Sequence, residues 1–201
     1  TPAMESLLSE QQRLVRDTAR DFAQKRLAAV AQDIEDSHKF PKDLFKEMGE
    51  LGLFGLAIPE KYGGSDAGFL ASMLAMEEVA RVSGAVVLSY GAHAFLCARN
   101  LYQHANEAQR TKYLPKLVSG EWIGAFGLTE PEAGSDASGV QTKAVLKGDR
   151  YILNGSKIFI TNGSIADVFI VVARTERKKG QGHLSTFIVE KSFKGFSAGR
   201  D

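Results

Sequence analysis

The stretch WIGAFGLTEPEAGSD, Trp122 to Asp136, is where the chain changes character. It opens as a short apolar and aromatic run of the kind that makes a strand, and it continues as a loop rich in Thr, Pro, Gly, Ser and acids. Upstream the apolar spacing is helical. Val15, Ala19, Phe22, Ala23, Leu27 and Val30 share one face of a long amphipathic helix, opened by Ser9 and Gln12 as a capping box. Pro41 suits a first helical turn, Leu44, Phe45, Met48 and Leu51 give that helix an apolar face, and Gly52 can end it. Residues 51–68, LGLFGLAIPEKYGGSDAG, read as a connector. Leu70, Met73, Leu74 and Glu77 begin another helix, Ala85 to Leu101 forms a largely apolar one, and Asn106 can cap a short helix ending near Gly120.

Downstream, β-branched and aromatic residues take over in six candidate strands: WIGAFGL, TKAVLK, RYILN, SKIFIT, DVFIVVAR and LSTFIVE. Gly148-Asp149 and Asn154-Gly155 are tight-turn dipeptides between such runs, which predicts an antiparallel meander. RTERKKGQGH, Arg174 to His183, reads as a solvated loop between the last two strands. The expected fold class is α+β: an all-α helical bundle domain over residues 1–120, then an antiparallel β-barrel-like domain over 121–201. A last strand ending near Glu190 would leave an open sheet edge, which favours association.

Composition limits the function without naming it. The 201 residues have room for one large or two small domains, and 44% apolar with 24% charged residues is an ordinary globular balance. Lys plus Arg is 25 against 24 Asp plus Glu, a net charge of +1, so bulk charge gives nucleic-acid binding no help. Apolar runs such as Ala85 to Leu88 and Val168 to Ala173 fall far short of the ~20 residues that span a membrane. Cys97 is the sole cysteine, which excludes an intrachain disulfide and a multi-cysteine metal cluster and favours a reducing compartment. The N-terminal TPAMESLLSEQQ shows no signal-peptide or transit-peptide pattern; a processed mature chain and a bacterial cytosolic one would both look like this.

The residues that could carry chemistry cluster in two segments. In FGLTEPEAGSD, Phe126 to Asp136, a strand end meets a tight loop whose backbone N–H groups, with the Thr129 and Ser135 hydroxyls, suit a phosphate or an oxygen-rich ring edge. A purely structural loop is the other reading. KIFITNG, Lys157 to Gly163, is a second hydroxyl-and-turn segment that a hairpin can fold back beside the first. His38, His93, His104 and His183 lack the paired spacing of a metal site and read as ordinary helix or loop residues. Cys97 lies in the most apolar helix and reads as a buried, inert thiol. Glu77 and Glu78 are adjacent, point to different sides of their helix and read as surface or capping charges.

FPKDLFKEMGELGLFGLAIPEKYGG, NEAQRTKYLPKLVSGEWIGAFGLTEPEAGSD, and YILNGSKIFITNG with the following ADVFIVVAR cover nearly the whole chain. Together they resemble the acyl-CoA dehydrogenase family. The resemblance implies an N-terminal helical domain, a middle β-barrel domain and a C-terminal helical domain, with FAD held between the last two. This chain supplies the first two at most. By resemblance Phe126, Gly127, Leu128 and Thr129 line the flavin ring, while Gly134 and Ser135 approach its pyrophosphate side, Ser135 also touching the acyl-CoA. Phe159, Ile160 and Thr161 cover another region of the flavin, and Tyr90 and Phe95 are candidates for the acyl pocket, core packing being their other reading. Many relatives carry Trp at the place of Phe159 and some carry Tyr at the place of Phe126, so an aromatic face is kept and a phenolic hydroxyl is given up.

The reaction implied is α,β-dehydrogenation of a short- or medium-chain acyl-CoA to the trans-2-enoyl-CoA. A carboxylate removes the α-proton, the β-hydride passes to FAD, and the electrons continue to an electron-transferring flavoprotein. The family's catalytic glutamate belongs to the C-terminal helical domain, and the sequence stops at Asp201, so the expectation is a piece of the enzyme without its base. Glu130 and Glu132 flank Pro131 in the flavin loop, but nothing in the motif places either beside the substrate's α-carbon. The resemblance further implies a homotetramer in a bacterial cytoplasm or a mitochondrial matrix. Two rivals stay open: an acyl-CoA oxidase of the same fold, and a catalytically silent module that binds flavin or forms oligomers.

Overall fold

The structure is a computed structural model, and it describes residues 7–178 and 181–199. The chain forms two compact units, Thr1–Trp122 and Ile123–Asp201. No helix among the described residues is long and apolar enough to cross a membrane.

The first unit is helical. Helix α1 (Glu10–Phe22) starts at Ser9, whose hydroxyl accepts the Gln12 N–H while the Gln12 side chain accepts the Ser9 N–H, closing the capping box. It runs on through a wider, π-helical turn (Ala23–Leu27) before the short α2 (Ala31–Ser37). Helix α3 (Lys42–Glu50) gives way at Gly52, whose φ of 73° suits glycine and turns the chain. After α4 (Gly68–Ala80), α5 (Gly84–Gly91) passes through a π-helical segment (Ala92–Arg99) into α6 (Asn100–His104). Asn106 then caps α7 (Glu107–Val118) by accepting the Gln109 N–H.

Phe45, Phe54, Tyr90 and His93 form an aromatic centre in this unit, with Phe54 set 4.3 Å from the His93 ring and 5.6 Å from Tyr90. Its polar atoms are satisfied internally: the Tyr90 hydroxyl donates to the Leu53 carbonyl at 2.7 Å, and His93 Nε2 lies 2.9 Å from the Leu117 carbonyl. Cys97 is fully buried. Glu77 and Glu78 do part to different sides, but only Glu77 is the exposed charge expected, paired with Arg81. Glu78 is 5% exposed and accepts two hydrogen bonds from Arg20, at 2.8 and 3.1 Å, so it ties α4 to α1. The reason is position: Glu78 shares the buried side of α4 with Ala71, Ala75 and Val79.

The second unit is a sheet of five strands, β1 (Gly124–Gly127), β2 (Lys143–Lys147), β3 (Arg150–Asn154), β4 (Val168–Lys178) and β5 (Gln181–Glu190). Its organiser is β4, whose Val168, Phe169, Ile170, Val172 and Ala173 are all buried, as in a strand covered on both faces. Along one edge β4 pairs antiparallel with β5. Its other edge takes β1 over residues 168–171 and then β2 at Arg174, both parallel. The α+β class holds, but the sheet is mixed and not the antiparallel, barrel-like meander expected.

Three local readings fail with the meander. SKIFIT is no strand: Phe159 and Asn162 take φ of 55° and 66°, which breaks the extended path. Asn154-Gly155 accordingly closes no hairpin, whereas Gly148 (φ 63°) begins the two-residue turn joining β2 to β3. RTERKKGQGH is mostly strand, since β4 extends to Lys178 and β5 begins at Gln181; residues 179 and 180 lie outside the described ones.

Candidate functional site

Because β1 and β2 follow one another along one edge of β4, residues 128–142 leave the sheet after Gly127 and return to it at Lys143. Gly127 is level with Val171 and Lys143 with Arg174. The returning limb is gripped by Arg174, which donates to the carbonyls of Ser138 (2.8 Å) and Val140 (3.1 Å). Between the limbs the tip, including Gly134 and Ser135, is exposed, and a Cβ at Gly134 would meet open space. Asp136 closes a small turn by accepting the Ser138 N–H, and the Ser138 hydroxyl above all holds its carboxyl below the usual range.

The second segment meets the outgoing limb directly. The Ile158 N–H donates to the Thr129 carbonyl at 2.9 Å, and Lys157 Nζ donates to the Leu128 carbonyl at 2.9 Å and to Glu130 Oε1 at 2.7 Å. Glu130, 5% exposed, also accepts the backbone N–H groups of Gln141 (2.6 Å) and Thr142 (3.0 Å) and the Thr142 hydroxyl. Burial pushes its acidity down, but the Lys157, Thr142 and backbone donors outweigh burial and bring its pKa to about 2. Glu130 is a fixed anion of the loop root and a poor proton acceptor. Glu132 is exposed on the loop.

Phe126, Gly127, Leu128, Thr129, Ile160 and Thr161 therefore belong to one neighbourhood, the end of β1 with the segment docked against it. Phe126, Leu128 and Thr129 are half-buried, and Thr161 is exposed. Among the described residues no protein group hydrogen-bonds the hydroxyls of Thr129, Ser135 or Thr161. Phe159 is unusual twice over: its backbone is left-handed at φ 55°, and its ring is 89% exposed. A phenylalanine held against its backbone preference with its ring in solvent gains little for the stability of the unit. Asn162 closes the turn, its side-chain amide donating to the Gly124 carbonyl at 3.2 Å.

In the first unit, Tyr90 is wholly buried in the aromatic core, while Phe95 is half-buried and lines a small pocket with Phe54, Ser72 and Arg99. No group of three or more metal-ligating side chains occurs among the described residues. The sequence reading missed Lys157, Arg174 and the anchoring role of Glu130. A lone lysine opening KIFI and a lone acid inside a turn were the visible signals, but only the docking of the two loops makes them partners.

The profile of the acyl-CoA dehydrogenase N-terminal domain matches residues 9–121, and that of the middle domain matches residues 125–201. The chain belongs to the acyl-CoA dehydrogenase family. It is 45% identical to a short-chain specific acyl-CoA dehydrogenase of Clostridium acetobutylicum, over 98% of this chain and 52% of that protein. It is 49% identical to the mitochondrial isovaleryl-CoA dehydrogenase of Pongo abelii, over 96% of this chain and 47% of that one. The chain thus spans about half the length of these relatives. An acyl-CoA dehydrogenase of Bacillus anthracis, solved in complex with FAD, superposes with a TM-score of 0.87 at 40% identity, covering 94% of this chain and 32% of that one.

Proposed function

We propose that this chain is the N-terminal and middle part of an FAD-dependent acyl-CoA dehydrogenase acting on a short- or medium-chain acyl-CoA. The observation that carries the reading is the pairing of two loops at the end of β1, one presenting the exposed Phe159 ring and both presenting unengaged hydroxyls. Such a surface suits a flat, oxygen-edged ring system: an aromatic plate covers a face, and the Thr129 and Thr161 hydroxyls hydrogen-bond an edge. Ser135 and the open backbone at Gly134 suit the phosphate-bearing end and the acyl-CoA. When bound, FAD would supply the acceptor for the substrate's β-hydride, and an electron-transferring flavoprotein would take the electrons onward.

The ion pair and burial of Glu130 argue against it as the α-proton's base, in keeping with a base from the C-terminal helical domain that the resemblance implies. Half-buried Phe95 is offered to the acyl pocket, and Tyr90, wholly buried with its hydroxyl bonded to the Leu53 carbonyl, to the core. Relatives with these two domains include a bacterial and a mitochondrial protein, and the bacterial cytoplasm or the mitochondrial matrix is the compartment proposed, with a homotetramer as the assembly.

The test is the visible spectrum of the natively purified chain, titrated with FAD and then, anaerobically, with butyryl-CoA. Flavin bands that appear with the protein and bleach on adding the thioester support the cofactor and substrate and place a base within these residues, against its assignment to a C-terminal domain. Flavin that binds but stays oxidised supports the cofactor site and places the base outside these residues. A chain that takes up no FAD at micromolar concentration sinks the proposal.

A further inference from the structure

We propose that Lys157 is a positioning residue of the cofactor site, a side chain that holds both ligand-facing loops in a single arrangement. This inference rests on the flavin reading above. Lys157 lies one residue before Ile158 and two before Phe159, in the second loop, and both of its acceptors, the Leu128 carbonyl and Glu130 Oε1, lie in the first. Its ammonium is withdrawn from water, with side-chain exposures of 11% for Lys157 and 4% for Glu130. Its stem passes Gly127, where an added Cβ would stand 3.4 Å from Lys157 Cγ.

The consequence follows from peptide geometry. A trans peptide points its C=O and the following N–H in opposite directions. With the Leu128 carbonyl drawn to Lys157, the Thr129 N–H faces away from the clamp, on the side left for a ligand. The adjoining Thr129 carbonyl is drawn to the Ile158 N–H, so two successive peptides of the first loop are fixed by two successive residues of the second. A buried ion pair is poor value as pure stabilisation, because apolar residues of equal volume serve at least as well; its best-attested use is to fix one arrangement among several. Here the arrangement it fixes includes the Thr129 hydroxyl and the approach to the Phe159 turn.

The experiment compares the full chain with Lys157→Met, which keeps the stem and removes the charge, and Glu130→Gln, which keeps an acceptor and leaves the Lys157 bond to Leu128 possible. Amide hydrogen exchange is followed without ligand, melting temperature is recorded for each, and FAD affinity is read by fluorescence. In Lys157→Met the Ile158 and Glu130 amides are expected to exchange at least tenfold faster while β2 and β3 keep their protection, and FAD binding weakens at least tenfold. Glu130→Gln is expected to lower the melting temperature comparably yet weaken FAD binding threefold or less. That split between stability and affinity is what a merely structural lysine would not produce. Affinity that follows melting temperature equally in both variants, unchanged exchange at Ile158, or global unfolding of Lys157→Met overturns the assignment. Failure of the unsubstituted chain to bind FAD is seen without any variant; it removes the flavin reading and this assignment with it.

Discussion

Gly155 lies with its backbone against Thr142, so close that a Cβ on the glycine would stand 2.3 Å from Thr142 Oγ1 and 2.7 Å from its Cα. Thr142 gives both its N–H and its hydroxyl to Glu130, so the contact reaches the root of the loop after β1. Gly155→Ala forces Thr142 back and strains those two bonds. The expected cost is about 1–3 kcal/mol in the second unit, the usual range for overpacking a tight site. Urea unfolding followed by circular dichroism measures it, and an alanine variant as stable as the parent would contradict the contact.

Glu130 makes the second unit sensitive to acid. Its folded pKa, about 2, is depressed below the ordinary 4.5. The carboxylate therefore contributes stability that is complete above pH 4.5 and is lost as pH falls toward 2. The depression corresponds to about 3 kcal/mol over that interval. Unfolding midpoints measured at half-unit pH steps should show this slope in the parent and lose most of it in Glu130→Gln.

His93 acts on the first unit, in a higher window. It is fully buried; burial lowers its pKa from 6.5 to about 4, against a smaller opposing pull from the Leu117 carbonyl. The unfolded chain binds the proton more readily, so stability is complete above pH 6.5 and falls, by about 3 kcal/mol, as pH drops to 4. Trp122 is the only tryptophan, and its ring packs 6.1 Å from Tyr113 in the first unit, so its fluorescence reports on the packing of that unit. Acid should therefore move the Trp122 signal before it moves the β-sheet signal, and His93→Gln should delay the first change. Coincident transitions near pH 3 would contradict the assignment.

The helices were legible because their signals are local. Ser9 with Gln12, Gly52 and Asn106 each act within a few residues, and the structure uses them as read. Sheet order is not local: Gly127 and Lys143 become neighbours only through β4, whose own sequence, apolar on both faces, says nothing of which strands flank it. SKIFIT has the composition of a strand, and what prevents it is tertiary, the Ile158 N–H being taken by Thr129 and the Phe159 backbone being left-handed. The same limit hid Lys157. Motifs marked the two loops, but an ion pair between them depends on a docking that no single segment encodes.

Phe159 offers the sharpest separation of stability from function. A left-handed phenylalanine costs about 1–2 kcal/mol relative to a comfortable backbone, and glycine removes that strain while losing roughly 0.5–1 kcal/mol through the freer unfolded chain. Because the ring is 89% exposed, its removal forfeits almost no burial in the ligand-free protein. Phe159→Gly should therefore melt within a few degrees of the parent, or slightly above it. If the ring is a plate for the flavin, covering about 100 Å² of it on binding is worth ~2.5 kcal/mol at ~25 cal/mol per Å², so FAD affinity should fall at least tenfold. Phe159→Trp, which restores a larger plate on the same backbone, should bind at least as tightly as the parent. A glycine variant that keeps parental affinity would show that the exposed ring faces something other than the cofactor.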